Sequence, residues 1–152
     1  MNTWIFQSNP KSYQIDNYLN EINPVQWSIR QKHYKHDINI GDEVYIWRSD
    51  GYKPRSGGIV AKGTILSLPE LVKDKNPQYF IDDTVNLFDL RVDVNINEVR
   101  LSKEAGMIRR IELEKDRNIN DLFILKIRNN TNYKIDRKQA DYLKQLWNNK
   151  KS

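Results

Sequence analysis

The chain has 152 residues, 38% hydrophobic and 30% charged, with four Trp, eight Tyr and four Phe. That length fits one domain, residues 1–152, able to bury about 70% of its unfolded surface, and the aromatic content argues against disorder. Lys and Arg outnumber Asp and Glu by 25 to 20, a net charge of +5 that favours polyanionic partners, nucleic acid first, and equally serves as a plain cationic solubility surface. With no cysteine in the chain, disulfides, thiolate catalysis and Cys-based zinc sites are excluded.

In chain order, the aromatic and β-branched run Thr3–Gln7 ends in the turn signal Ser8-Asn9-Pro10 and predicts a strand. Neither these opening residues nor any later run is a targeting or membrane-spanning segment, so a cytoplasmic protein with no membrane partner is expected. Ile15, Tyr18, Leu19 and Ile22 recur at helical spacing up to Asn23-Pro24, and Val25–Ile29 is strand-like again. The polar basic segment Arg30–His36 follows, with Tyr34 embedded in it.

Gly41-Asp42 predicts a turn and Glu43–Arg48 a strand, with Val44, Ile46 and Arg48 on one face and Tyr45 and Trp47 on the other. Ser49–Gly58 is a Gly/Pro-marked loop; Ile59–Leu68 is a strand in which Gly63 signals a bulge or barrel corner. Pro69–Phe80 is a polar excursion with a helical turn expected at Glu70–Val72. Phe88, Leu90, Val92, Val94 and Ile96 alternate with polar residues as one amphipathic strand, and Phe123–Ile127 predicts another. Asp136 and Gln139 form a capping box ahead of a helix striped by Ala140, Leu143, Leu146 and Trp147. Many strands, few helices and Gly-marked corners suggest an α+β domain built on a small mixed barrel.

Catalytic constellations are missing from this pattern. His33 and His36 are the only histidines; they sit in a basic run that opposes a bound cation, so no metal site and no cofactor is expected. The Asp136-Arg-Lys138 string resembles an acid-x-lysine nuclease fragment, but a helix cap explains it better. The pairs Asp82-Asp83 and Glu112/Glu114 lack partners that define a hydrolase. The aromatics say more: Trp27-Ser28 and Trp47-Arg48 each end a predicted strand beside cations, an arrangement suited to stacking an unpaired base. Each Trp taken alone is better explained as core, and Trp4 and Trp147 are read as core.

Several strings, taken together, resemble the successive motifs of the EVE domain family. They are Trp4-Ile-Phe-Gln-Ser-Asn-Pro-Lys-Ser-Tyr13, Trp27-Ser-Ile-Arg30, Gly41-Asp-Glu-Val-Tyr-Ile-Trp-Arg-Ser49, Gly57-Gly-Ile-Val-Ala-Lys-Gly63 and Thr131-Asn-Tyr-Lys-Ile135. The resemblance implies a PUA-like mixed β-barrel flanked by short helices, related to the YTH domains that read N6-methyladenine in RNA. It implies an aromatic pocket for a modified base, with Trp27 as principal wall, Ser28 beside it, and Gln7, Ser8 and Asn9 as polar contacts. Tyr13 and Trp47 are further wall candidates. Arg30, Lys32, Lys35, Arg48, Lys53, Arg55, Arg109 and Arg110 are the candidate phosphate contacts. Modified DNA is the expected partner ahead of RNA, with proteins of a restriction or modification system as further partners. A nuclease or base-processing enzyme, and a structural protein whose aromatics are all core, remain the alternatives.

Overall fold

The computed structural model of the chain describes residues 1–81 and 88–150; the acidic pair Asp82-Asp83 lies outside the described residues. In chain order these form β1 (Thr3–Ser8), α1 (Ile15–Glu21), β2 (Val25–Ser28), a 3-10 turn at Lys32–Tyr34, β3 (Glu43–Arg48), β4 (Gly58–Ile65) and β5 (Glu70–Lys73). A second 3-10 turn (Pro77–Tyr79), β6 (Phe88–Val99), β7 (Ile108–Arg109), α2 (Arg110–Lys115), α3 (Phe123–Lys126), β8 (Asn132–Ile135) and α4 (Arg137–Asn149) follow. The strands make one mixed sheet in the order β2-β6-β4-β3-β1-β8, with β5 on β6 and β7 on β4. Of these pairings β1 with β3 is parallel and the rest are antiparallel. The sheet curls into a half-barrel flanked by the short helices.

β3 is central and covered on both sides, and its alternation divides the core in two. Val44 and Ile46 join Trp4, Phe6, Val25, Trp27, Val92 and Val94 in one cluster. Tyr45 and Trp47 join Ile5, Tyr133, Ile135, Leu143 and Trp147 in the other. The two-residue period of a strand sends neighbouring side chains to opposite faces, so one strand feeds both cores. Gly63 is the bulge its sequence signals: the β4–β6 register shifts between Lys62 and Gly63. A Cβ there would lie 2.5 Å from the Asn95 carbonyl oxygen, which only glycine avoids.

The final helix is started as its sequence dictates. Asp136 Oδ1 accepts from the Gln139 backbone N–H at 2.7 Å, and Gln139 Oε1 accepts from the Asp136 N–H at 3.1 Å. Arg100 holds its far end, lying 3.8 Å from the centroid of the Trp147 ring and donating to the Trp147 carbonyl at 2.7 Å. Among the described residues no helix is long and apolar enough to cross a membrane.

Two elements differ from their sequence reading. Glu70–Lys73 is a strand, not a helical turn, because β6 extends beyond its last partner in β4 and offers Phe88–Arg91 as an edge to pair with, on the side opposite β2. Phe123–Lys126 is a single helical turn, not a strand. A short apolar run satisfies either period, and the free edge of β1 is already occupied by β8, so Leu125 and Ile127 donate locally to Leu122 and Phe123.

β2 and β8 lie at the two ends of the strand order, and side-chain amides bind them together. Asn132, fully buried, accepts from the backbone N–H groups of Arg30 (2.8 Å) and Gln31 (3.3 Å) and donates to the Ser28 carbonyl (3.0 Å). Gln31 Oε1 accepts in return from the N–H groups of Thr131 (2.9 Å) and Asn132 (2.8 Å). Removing the Asn132 amide strands part-buried backbone groups, at about 1–3 kcal/mol for each group left unsatisfied, less where water reaches it. Asn132→Ala is therefore expected to lower the unfolding free energy measured in urea by about 2–4 kcal/mol; a loss below about 0.5 kcal/mol would show that the clasp is dispensable.

Candidate functional site

Closing the half-barrel through Asn132 sets the C-terminal end of β2 beside the C-terminal end of β1 and the segment leading into β8. A hollow of about 480 Å³ opens between them, within the range of small-ligand sites. Gln7, Ser8 and Asn9 form one side of it, Trp27, Ser28 and Arg30 another, and Asn129 and Thr131 complete that lip. Tyr13, Tyr18, Phe80, Asp74 and Arg91 close the remainder. Six of the expected base contacts, Gln7, Ser8, Asn9, Tyr13, Trp27 and Ser28, thus meet around one cavity, and so does Arg30.

Trp27 is 6% exposed and borders the hollow, with Phe6 behind it at 6.4 Å between ring centroids and 26° between planes. Its position follows from the strand period: Val25 and Trp27 point to one side of β2, Gln26 and Ser28 to the other. Gln7 is held by β8's approach, its backbone N–H donating to the Thr131 carbonyl at 2.8 Å and its amide to the carbonyls of Arg128 and Asn130. Asn9 Oδ1 accepts from the Lys11 N–H at 3.0 Å, an Asx turn that brings Ser12 and Tyr13 back to the cavity.

Tyr13 meets Phe80 edge-on at 4.8 Å and Tyr18 at 5.3 Å. Tyr18 accepts from the Gln26 N–H at 2.7 Å. Asp74 accepts from the Asn76 N–H at 2.7 Å and lies 3.7 Å from the Arg91 guanidinium, which donates to the Val72 carbonyl at 2.6 Å. Both members of this ion pair are buried. The cavity therefore has aromatic walls and one end where a carboxylate and a guanidinium stand side by side, an acceptor beside a donor. Burial raises both phenols, and the Asp74 charge opposes their ionisation: Tyr13 is held well above the ordinary phenol range and Tyr18 is pushed up to about 12.

Tyr18, Asp74, Phe80 and Arg91 were not singled out by sequence. Tyr18 lies on the apolar stripe of α1 and reads as core; Arg91 occupies a polar position of an alternating strand and reads as solvent-facing. Asp74 and Phe80 lie in a segment with no periodicity.

Other candidates sit elsewhere. Trp47 does not border the hollow. One residue out of phase with Val44 and Ile46, it faces the opposite core, 1% exposed, with the Arg110 guanidinium 5.8 Å from its ring. Arg48 is buried and spent on internal contacts: it pairs with Asp16 at 3.1 Å and donates to the carbonyls of Leu101 and Ser56. Arg109 pairs with Glu112 at 3.4 Å; Arg110 pairs with Glu114 at 3.4 Å and donates to the Leu125 carbonyl. A phosphate role expected for these three arginines meets carboxylates already in place. Lys32, Lys35, Lys53 and Arg55 are exposed. Among the described residues no three His, Asp or Glu side chains gather as a metal site.

Comparison with known proteins places this geometry in a wider setting. A family model described as the EVE domain matches residues 2–146. Among solved structures, a hypothetical protein from Leishmania major aligns with a TM-score of 0.71 at 16% identity, covering 98% of this chain and 96% of the other. The human THYN1 protein, solved in complex with DNA containing 5-methylcytosine, aligns at 0.68 and 14% identity, covering 97% and 98%. The YTH domain of the Zygosaccharomyces rouxii MRB1 protein, in complex with N6-methyladenosine RNA, aligns at 0.58 and 12% identity, covering 96% and 86%. No curated protein matches the chain.

The raised phenols make stability alkali-sensitive in a defined direction. Folding holds Tyr18 neutral, so its contribution is complete below pH 10 and is lost as pH climbs through about 12. Unfolding free energy measured in urea is expected to fall across that interval, and Tyr18→Phe to make the fall shallower; an unchanged slope in the variant would contradict this placement.

Proposed function

The chain belongs to the EVE domain family, and from that premise we propose that it is a non-enzymatic module that binds a modified base of a nucleic acid in the hollow beside Trp27. The observation that carries the reading is the meeting of Gln7–Asn9, Tyr13, Trp27 and Ser28 around one open cavity of about 480 Å³. A base entering it leaves its stack at a cost of a few kcal/mol, offset by aromatic contacts typically worth ~1–3 kcal/mol each. Polar atoms of Ser8, Asn9 and Ser28 meet its edge, and the adjacent Asp74 carboxylate and Arg91 guanidinium offer an acceptor and a donor for an exocyclic amine and a neighbouring ring nitrogen or carbonyl. Arg30, Lys32 and Lys35 beside the second strand hold the backbone through salt-dependent phosphate contacts.

A methyl or hydroxymethyl group on cytosine or adenine then fills apolar space that the plain base leaves empty, worth roughly 0.8 kcal/mol for one buried methyl. Modified DNA is preferred as the partner: the 5-methylcytosine DNA complex of THYN1 lies nearer in fold than the RNA-bound YTH domain. That YTH complex supports modified RNA as the second reading. As a reader of modified bases, the module suits partnership with proteins of a restriction or modification system.

Titration of dye-labelled strands carrying 5-methylcytosine, 5-hydroxymethylcytosine or N6-methyladenine tests the reading. One of these strands should bind several-fold tighter than its unmodified counterpart. Trp27→Ala should erase that preference, and Trp27→Phe, which keeps a ring against Phe6 and so guards against loss of the fold, should weaken it. The strand should stay intact with Mg²⁺ or Mn²⁺ present. Equal affinity for all strands, or a preference that survives Trp27→Ala in a folded protein, would sink the proposal.

A further inference from the structure

The loop between β3 and β4 carries an aromatic side chain that the fold does not use. Tyr52 is 83% exposed. A cation, Lys11 Nζ, lies 4.9 Å from its ring centroid. The loop that presents it is nevertheless built with care. Asp50 accepts through Oδ1 from the Gly57 N–H at 2.8 Å and through Oδ2 from the Arg55 N–H at 3.3 Å. Ser56 Oγ donates to the Lys53 carbonyl at 2.6 Å and lies 3.1 Å from that of Asp50, and Gly51 and Arg55 both adopt positive φ. Side chains that close a loop from within hold its tip in one shape, and here the tip is an aromatic ring flanked by Lys53 and Arg55.

Its place in the fold gives the ring a purpose. The Ser49 N–H donates to the Ser8 carbonyl at 3.0 Å, and Gly51 packs on Pro10 so closely that an added Cβ would lie 3.1 Å from the proline ring. The loop is thereby fastened to the segment Ser8–Ser12, whose Ser8, Asn9 and Ser12 border the hollow. Lys11 lies between the rim residues Asn9 and Ser12, and Tyr52 is held beside it. A strand that enters the hollow over this part of the rim brings its neighbouring nucleotide to an exposed ring and a cation on a fixed support.

We propose that Tyr52 and Lys11 form a second subsite, in which the Tyr52 ring stacks on the base flanking the one held in the hollow while Lys11 meets the adjoining phosphate. This rests on the base-binding reading above and adds to it a defined ligand: an oligonucleotide, not a lone nucleoside. Because the ring buries nothing in the free protein, its removal costs no core packing. Because every base has a stacking face, the subsite contributes affinity without sequence preference, by roughly fivefold to a hundredfold.

The test uses short single strands carrying 5-methylcytosine, 5-hydroxymethylcytosine or N6-methyladenine, each made with ordinary neighbours and with abasic neighbours, followed by anisotropy of a terminal dye. The wild-type protein should bind its preferred strand about tenfold more weakly once the neighbours are abasic, the lower part of the range for loss of one stacked base. Tyr52→Ala should bind both versions equally, at the weaker level, whereas Tyr52→Phe should retain the difference. Tyr52→Ala should keep the preference for the modified base, since Trp27 and its surroundings are intact. If Tyr52→Ala still distinguishes ordinary from abasic neighbours, or matches the wild type on the ordinary strand, the subsite is overturned while the base-binding reading stands. If the wild type binds none of the strands, the base-binding reading fails and the subsite with it.

Discussion

Two side-chain amides at the open seam of the sheet hold the site together. Asn132 and Gln31 exchange hydrogen bonds with each other's backbone across the gap between the first and last strands of the order. Strand pairing cannot do this work, because β2 and β8 approach only at the point where β2 has ended. Without the amides the backbone donors of Arg30, Gln31, Thr131 and Asn132 would need other partners. The same seam defines the cavity: Trp27 and Ser28 lie just before the clasp on one side, Gln7 and Thr131 beside it on the other. An interaction that closes the fold therefore also sets the width of the opening.

The central strand explains why one tryptophan borders the cavity and another does not. Both Trp27 and Trp47 end strands beside cations, and sequence alone treats them alike. Burial decides between them. β2 sits at an end of the strand order, where the curl leaves space beyond its last residues. β3 has a neighbour on each side and a core on each face, so its Trp47 is enclosed whichever way it turns. A tryptophan at a sheet edge has an open side, whereas one in the middle has none.

This also marks how far the sequence could be read. Wherever a local rule acts alone, it is legible: the alternation of β3, the bulge at Gly63, the Asp136–Gln139 box and the core roles of Trp4 and Trp147 all follow from neighbours within a few residues. Elements decided by a distant edge are not. Glu70–Lys73 became a strand because β6 ran long enough to pair with it, and Phe123–Lys126 became a helical turn because β8 had taken the edge of β1. The cavity divides in the same way. Gln7–Asn9, Trp27 and Ser28 were found through strings that resemble a family's motifs, while Asp74, Arg91 and Tyr18 are brought in by tertiary packing, their local patterns pointing to loop, solvent and core.

The charge of the molecule takes on a different meaning once the arginines are located. Arg48, Arg91, Arg100, Arg109 and Arg110 each stand against a carboxylate. Such pairs remove one charge of each sign from outside reach, so the surplus of +5 is left to the exposed side chains, among them Lys11, Arg30, Lys32, Lys35, Lys53 and Arg55. Surface cations attract any polyanion, and their contribution fades with salt. They give the module reach without choice. If the module reads a modified base as proposed, choice has to come from the few atoms by which that base differs from a plain one, and a single methyl is worth only roughly 0.8 kcal/mol, less than a factor of five. A cavity that discriminated on so little would need walls that hold their shape. The buried Asp74–Arg91 pair, the edge-on tyrosines and the amide clasp all stiffen the walls of the opening, which is what the proposed reading requires of them.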